Sequence, residues 1–334
     1  MSWPVAMSVD DTIAILTPMD FARGSAIRSM EVQRLRAADG QWTTRVLYTT
    51  PDRLTHYAWP RGVDLAPAEV PLGAGIGLNE PAEFRSAVVE LGVGGLHLDV
   101  DLTDAQGRRL ECRARHPRPW QGFDLVAPPA AGIENPTSFF FPYLRHFGFA
   151  TQPLDFEASF EGRPLELQRL PFPWRRRRAS ALKAARGSVI VELLKDGAAP
   201  LAVDDPHVEV DFDGNLAAVA IGTEVLDVRL VLDPALPPSG HLEGSVRSEW
   251  ILTVGADPVA AGTVELAPRR SWVEVGWTIT RGWGGAPRPA SVWALTRLVR
   301  SLRRWPLAYS WTGRLEPGPP PRLVGGWRNA RPRT

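Results

Sequence analysis

The sequence predicts an all-β protein, built as two tandem β-barrels or sandwiches with one or two short helices. Three observations carry that expectation. Proline (32 residues) and glycine (30) are spread evenly along 334 residues, which suits short strands joined by turns better than long helices. Apolar and polar residues alternate through more than a dozen short stretches rich in β-branched and aromatic side chains. A strand of the pattern His-x-acid-x-Asp, followed by a turn and a returning strand, occurs once in each half.

Taken in order, MEVQRLRAADGQWTTRVLYTT (30–50) reads as a hairpin turning near Asp39-Gly40. EPAEFRSAVVELG (80–92) fits either a short helix with Pro81 in its first turn or part of a strand. LHLDVDLTDAQGRRLECRA (96–114) is a second hairpin, and LDFEASFEGRPLELQRL (154–170) a third, turning at Glu161-Gly162-Arg163. Nine further strands follow: SVIVELL, HVEVDF, NLAAVAIG, EVLDVRLVLD, SVRSEWILTVG, AGTVELA, SWVEVGWTIT, LAYSWTGRL and RLVGGW. SVWALTRLVRSLRRW (291–305) is the clear helix, with Ser291 as N-cap and Pro306 as its end. Val292, Leu295, Leu298, Val299, Leu302 and Trp305 form its apolar stripe, and Arg297, Arg300, Arg303 and Arg304 mostly occupy the other side. Two prolines and an arginine run interrupt the strand pattern at 171–187. That segment reads as a basic linker between an N-terminal β domain (1–170) and a C-terminal one (188–334).

A hydrophobic share of 44% is ample for packed cores. One cysteine, Cys112, leaves no internal disulfide framework. The start, MSWPVAMSVDDT, lacks the basic and apolar regions of a secretory signal, and no apolar run reaches transmembrane length. A soluble, cytoplasmic protein is the expectation. Net charge is only +1, yet 281–334 carries +10 and 171–187 carries +6, leaving about −15 on the rest. The basic pieces either dock on the acidic body or face an anionic partner such as a membrane surface, through Arg175, Arg176, Arg297, Arg300 and Arg304. The acidic body and the lack of a known module argue against nucleic acid.

No motif identifies a reaction. The glycines of PLGAGIGLNEPAEF (71–84) do not match the dinucleotide fingerprint, and phosphate-loop, nucleophile-elbow, HExxH and CxxC patterns are absent, so no cofactor is implied. Asn79 and Glu80 beside that glycine-rich stretch are candidates for a pocket mouth. His97, Asp99 and Asp101 share one strand face and could ligate a metal, but the returning arginines Arg109, Arg113 and Arg115 favour an ordinary paired hairpin. His207, Glu209, Asp211 and Asp213 repeat the stripe without arginines on the return strand NLAAVAIG, which makes His207, Glu209 and Asp211 the better metal candidates. Eight of thirteen tryptophans fall between Trp250 and Trp327, and TSFFFPYLRHFGF adds a second aromatic cluster. These residues either plug β interiors or line an apolar cavity, the candidates being Trp250, Trp272, Trp277, Trp311, Phe140 and Tyr143.

The tandem β layout, with GSVRSEWILTVG leading into TVELAPRRSWVEVGW, resembles the lipocalin-like proteins of the carotenoid 1,2-hydratase type. The segments GLNEP, WPLAYSW and GGWR also resemble stretches of uncharacterised bacterial proteins. The first resemblance implies two lipocalin-like barrels, an apolar polyene-like or polyketide-like substrate, and acid-catalysed hydration or cyclisation. It carries over no catalytic residue. The expected function is therefore binding of a hydrophobic small molecule in a barrel or inter-barrel cleft, with or without cofactor-independent chemistry. Membrane docking and a metal-dependent activity at His207 are the alternatives.

Overall fold

The computed structural model describes residues 2–63, 65, 77–127, 136, 138–151, 153–169, 182–283, 306–307 and 309–329. Among them the regular structure is all strand apart from one 3-10 turn at Ser239–His241. The all-β expectation holds. The helix expected over 291–305 lies outside the described residues, and no described helix is long and apolar enough to cross a membrane.

The chain divides into two compact units, and neither is contiguous in sequence. The first comprises Asp11–Leu125 and Leu144–Ser188; the second comprises Met1–Asp10, Val126–Tyr143 and Val189–Thr334. Trp3 and Val5, among the first residues of the sequence, are fully buried in the core formed mainly by the C-terminal half. A composition break cannot reveal such an exchange, because each donated piece is only a strand or two long. Lys183 and Arg186, read as linker, belong to a strand of the first unit.

Two short strands open the chain, β1 (Ser2–Trp3) and β2 (Met7–Asp10). The first unit takes β3 (Ile13–Asp20), β4 (Ser29–Arg36), β5 (Trp42–Thr49), β6 (Thr55–Pro60), β7 (Gly77–Gly92), β8 (Gly95–Thr103) and β9 (Arg109–His116). After β10 (Phe123–Val126), β11 (Phe139–Ala150) serves the second unit up to Tyr143 and the first from Leu144. Strands β12 (Asp155–Phe160), β13 (Arg163–Pro164) and β14 (Leu182–Arg186) complete the first unit. Its ladder runs β13–β12–β9–β8–β7–β6–β5–β4–β3–β14–β11. The expected turns are in place, with Gly40 at φ 83°, and Glu161 and Gly162 at φ 52° and 73°.

The stretch 80–92 is strand, and its ambiguity in sequence has a cause. β7 pairs parallel with β6 as far as Pro60↔Ala82, then antiparallel with β8 from Glu83↔Thr103. A register shift between Phe84 and Ser86 moves the inward set from Ala82 and Phe84 to Val89 and Leu91. The parity change hides the period-2 signal. The core beneath includes Met30, Val32, Val46, Leu98, Val100, Leu110 and Cys112.

The second unit adds β15 (Ser188–Leu193), β16 (Leu201–Ala202), β17 (Val208–Val210), β18 (Leu216–Ile221) and β19 (Val228–Leu236). It continues with β20 (Val246–Val254), β21 (Asp257–Pro268), β22 (Val273–Arg281), β23 (Tyr309–Glu316) and β24 (Arg322–Asn329). β17 to β24 form an eight-stranded meander in chain order, beside the smaller ladders β11–β15–β2 and β1–β16. None of the sheets formed by the described residues closes into a barrel. Closure needs edge strands matched in length and register. Here one edge, β17, has three residues against eight in β24, and the register shifts at Glu209/Val210 and Leu216/Ala218 beside it.

Candidate functional site

The period-2 pattern of β20 to β24 turns one set of large rings onto the core face. Trp250, Trp277, Trp311 and Trp327 are all at most 1% exposed. Trp277 lies directly opposite Trp311, and Trp311 opposite Trp327, so three indoles cross three neighbouring strands in one row. Trp250 joins them from β20, its ring 5.6 Å from that of Trp277 at an interplanar angle of 46°. Phe139 closes the other end, 4.7 Å from Trp327 and 4.9 Å from Tyr309 between ring centroids.

Glycines make room for these rings. A Cβ on Gly313 would stand 2.5 Å from Trp311 Cη2, and one on Gly325 would stand 2.6 Å from Trp311 Cζ2. The rest of the face is aliphatic, including Leu230, Leu232, Leu252, Val264, Val275 and Ile279. Trp327 donates its indole N–H to Leu193 O at 3.2 Å. The indole N–H groups of Trp250, Trp277, Trp311 and Trp3 are buried with no acceptor among the described residues. A buried donor left unsatisfied costs about 1–3 kcal/mol, so this face carries a hydrogen-bonding capacity that the described residues do not use.

The structure brings together some of the aromatic candidates and separates others. Trp250, Trp277, Trp311 and Tyr143 share one core, where Tyr143 donates its hydroxyl to Asp257 Oδ2 at 2.5 Å. Trp272 is half-buried in the turn before β22, and Phe140 is half-buried between the buried Phe139 and Phe141. Parity explains both exclusions: Trp272 is an odd number of residues from Trp277, and Phe140 is one residue from Phe139 and Phe141. Trp3 and Phe139 complete the same core, although nothing near them in sequence points to the C-terminal sheet.

Glu80 belongs elsewhere, to a polar cluster in the first unit. It accepts a hydrogen bond from Gln106 Nε2, and Gln106 Oε1 accepts one from Arg108 Nη2 at 2.8 Å. Arg108 donates to Asp104 at 2.7 Å and to the Tyr48 hydroxyl at 2.9 Å, while Tyr48 donates to Asp104. His56 stacks on Tyr48 with centroids 4.8 Å apart, and Arg108 Nη2 lies 3.3 Å from both its ring nitrogens. Burial, then the neighbouring guanidinium of Arg108, holds the His56 pKa below its ordinary value, so the ring is neutral at pH 7. Burial and the bond to Asp104 push the Tyr48 phenol above its usual range. The hydrogen bonds of this cluster run from one member to the next, and they fasten the β8–β9 turn to β5, β6 and β7. Asn79 lies opposite Tyr57 in the β6–β7 ladder; its side chain is outside the described part.

A second polar group sits on the opposite side of β4 and β5 from Val32 and Val46. Gln33 Nε2 donates to Glu31, and Arg45 Nε donates to Gln33 Oε1 at 2.7 Å. The Tyr57 hydroxyl nearby is buried without a hydrogen-bond partner among the described residues. Burial pushes the Glu31 carboxyl up to about 7, against the lowering effects of Gln33 and Arg45. The folded protein therefore keeps a proton that the unfolded chain, with its carboxyl near 4.5, has already lost. Stability is expected to fall as pH rises from about 4.5 to about 7, and Glu31→Gln to remove that fall. Denaturant midpoints of both proteins across this range check it; parallel curves would refute it.

The two acidic stripes resolve differently from their sequence appearance. Asp99 stands opposite Arg113 with Nε–Oδ1 at 3.5 Å, as a paired hairpin requires. Asp101 stands opposite Glu111, and is relieved by Arg109 at 2.8 Å and Arg85 at 3.7 Å. Arg109 above all holds its carboxyl below the usual range. His97 lies 3.5 Å from Glu90. The second stripe, expected to be uncompensated, is not. Arg229 on β19 reaches past β18 to pair with Glu209, a partner two strands away that the return strand cannot reveal. Asp211 spends Oδ1 on the N–H groups of Asn215 and Asp213, at 2.8 and 2.9 Å, so it is a turn residue with a lowered pKa. Among the described residues no group of three or more His, Cys, Asp or Glu is arranged to hold a metal ion. The matched hairpins also differ in place: β8–β9 is internal to its ladder, whereas β17 is an edge.

Arg175, Arg176, Arg297, Arg300 and Arg304 lie outside the described residues. Compared with known proteins, the chain matches no family model, no curated protein and no solved structure.

Proposed function

We propose that the second unit binds an apolar small molecule carrying hydrogen-bond acceptor oxygens, held against Trp250, Trp277 and Trp311. The observation that carries this is the set of three buried indole N–H groups on one apolar face with no acceptor among the described residues. Phenylalanine would fill similar space without leaving a buried donor. A carbonyl, ether or hydroxyl oxygen on a ligand recovers the hydrogen bonds, while the surrounding aliphatic and aromatic surface supplies the affinity. The same chemistry suits the polyketide-like members of the ligand class that the sequence resemblance implies, which carry such oxygens.

A fluorescent polyene fatty acid and its methyl ester are suitable probes, read by energy transfer from tryptophan. Saturable transfer is expected with the native chain for both, because the acceptor oxygen rather than the charge is recognised. Trp277→Phe keeps a ring and removes one donor. It is expected to weaken binding by about tenfold, the value of one net hydrogen bond of ~1.4 kcal/mol. No saturable transfer in the native chain, or unchanged affinity in both Trp277→Phe and Trp250→Phe, overturns the proposal.

A further inference from the structure

The solvent face of β20 to β24 carries a second feature, independent of the tryptophan face. One cross-strand row reads Arg247, Glu265, Gly276, Thr312, Gly326, each residue directly opposite the next. Both glycines sit inside long antiparallel strands, where glycine is disfavoured. Neither has a positive φ, and a Cβ on either would meet nothing within 4 Å. The contrast with the core face is sharp: Gly262, Gly313 and Gly325 are each required there, because a Cβ would stand within 3 Å of backbone or an indole. Packing and backbone geometry therefore account for the glycines on the core face and leave Gly276 and Gly326 unexplained.

What Gly276 creates is space. A groove of about 470 Å³ lies over this part of the sheet, bordered by Ser245, Arg247, Glu265, Glu274 and Thr312 with Gly276 in its floor. Its volume falls within the range of small-molecule sites. Same-face residues repeat about every 6.8 Å along a strand, so the missing side chain at Gly276 leaves an opening between Glu274 and Thr278 wide enough for a single sugar ring.

The walls specify the chemistry. Arg247 pairs with Glu265 at 3.4 Å, and the lining carboxylate of Glu274 is paired from outside the groove by Arg269. Each of these guanidiniums is matched by a carboxylate, so the pairs offer strong donors and acceptors with no net charge. Hydroxyls continue the pattern, with Thr263 and Thr278 bonded at 2.6 Å in the adjoining row and Thr312 in the floor. Leu266 and Val275 are buried, yet with Val246 they also line the groove, so its surface is part polar and part apolar. A polyanion would meet the carboxylates, whereas a sugar ring offers hydroxyls to the ion pairs and a C–H face to the apolar part. We infer that this groove binds a neutral, polyhydroxylated ligand lying across the strands, namely an oligosaccharide.

The experiment uses the full chain with cello-, xylo-, malto- and chito-oligosaccharides, alongside a sulfated glycan, in calorimetric titrations. The native protein is expected to bind at least one neutral series, with little dependence on salt. Gly276→Thr fills the slot with a residue suited to an exposed strand, and Gly326→Thr, outside the groove lining, is the matched control. Gly276→Thr is expected to weaken that binding at least tenfold and Gly326→Thr to leave it unchanged, with the melting temperature of both unchanged or higher. Absence of neutral-glycan binding, binding untouched by the filled slot, or salt-sensitive binding of the sulfated glycan alone would each overturn the assignment. So would a marked fall in melting temperature in both variants, since the glycines would then be structural.

Discussion

Gly262→Ala is expected to destabilise the second unit by at least about 3 kcal/mol, the upper end of overpacking costs. The added Cβ would overlap Thr278 O and stand 2.9 Å from Thr278 C and 2.8 Å from Trp250 Cζ2. Two of those atoms are backbone in a central ladder, and the third belongs to a ring with no exposed surface. Relief requires separating β21 from β22, or moving Trp250 into Trp277, whose centroid is only 5.6 Å away. For a body of this size such a loss corresponds to a fall in melting temperature of about 6–12 °C. Gly276→Ala, one strand over on the solvent face, is the matched control and should cost nothing. Thermal unfolding followed by near-ultraviolet circular dichroism, which reports the packed indoles, checks both. If the two variants melt together, the steric account of the tryptophan face is wrong.

Asp104→Ala should cost the first unit about 3 kcal/mol, toward the lower end for breaking a buried ion pair because Arg108 keeps some solvent contact. The carboxylate accepts from the N–H groups of Gln106 at 2.9 Å and Arg108 at 2.8 Å, from Arg108 Nε at 2.7 Å, and from the Tyr48 hydroxyl. Removing it opens the β8–β9 turn and strands the hydroxyl of Tyr48, a residue only 1% exposed. Asp104→Asn keeps an acceptor for the turn but loses the charge, and should cost about half as much. Denaturant titration of the three proteins at neutral pH measures both differences.

The pH dependence separates these roles. Burial raises the Asp104 carboxyl, but the Tyr48 hydroxyl, the Arg108 N–H and the Arg108 guanidinium together bring it below its ordinary value. A lowered carboxyl stabilises the fold above the unfolded-state value and loses that contribution as pH falls through the folded one. Native stability should therefore drop in acid below about pH 4, and Asp104→Asn should flatten the drop. Glu31 acts with the opposite sign between about pH 4.5 and 7, so the two carboxyls are resolved by scanning one protein across both windows.

Much of the fold was legible because strand signals are local. Alternation and turn residues located the hairpins at Asp39-Gly40, Asp104–Arg108 and Glu161-Gly162, and nearly every strand from β15 to β24. Where alternation failed, in β7, a bulge had changed its parity. The candidate site was legible only in part. Aromatic density pointed to Trp250, Trp277 and Trp311, and simple parity already separates Trp272 and Phe140 from their buried neighbours. Trp3 and Phe139 lie far from Trp250 in the chain yet share its core, and no local rule anticipates them.

The all-β class, the turn positions, the charge separation and the facing of most side chains within their own strands can be read from the linear order of residues. All but the charge separation depend on residues within a few positions of one another. Which strands are neighbours emerges only in the folded chain. That choice exchanged β1, β2 and part of β11 into the C-terminal body, gave Glu209 its partner on β19, set Asp101 against Glu111, and left the sheets of the described residues open. Pairing between distant strands is set by the burial of whole faces and the matching of edges. Those energies are summed over many residues, and no short window of sequence contains them.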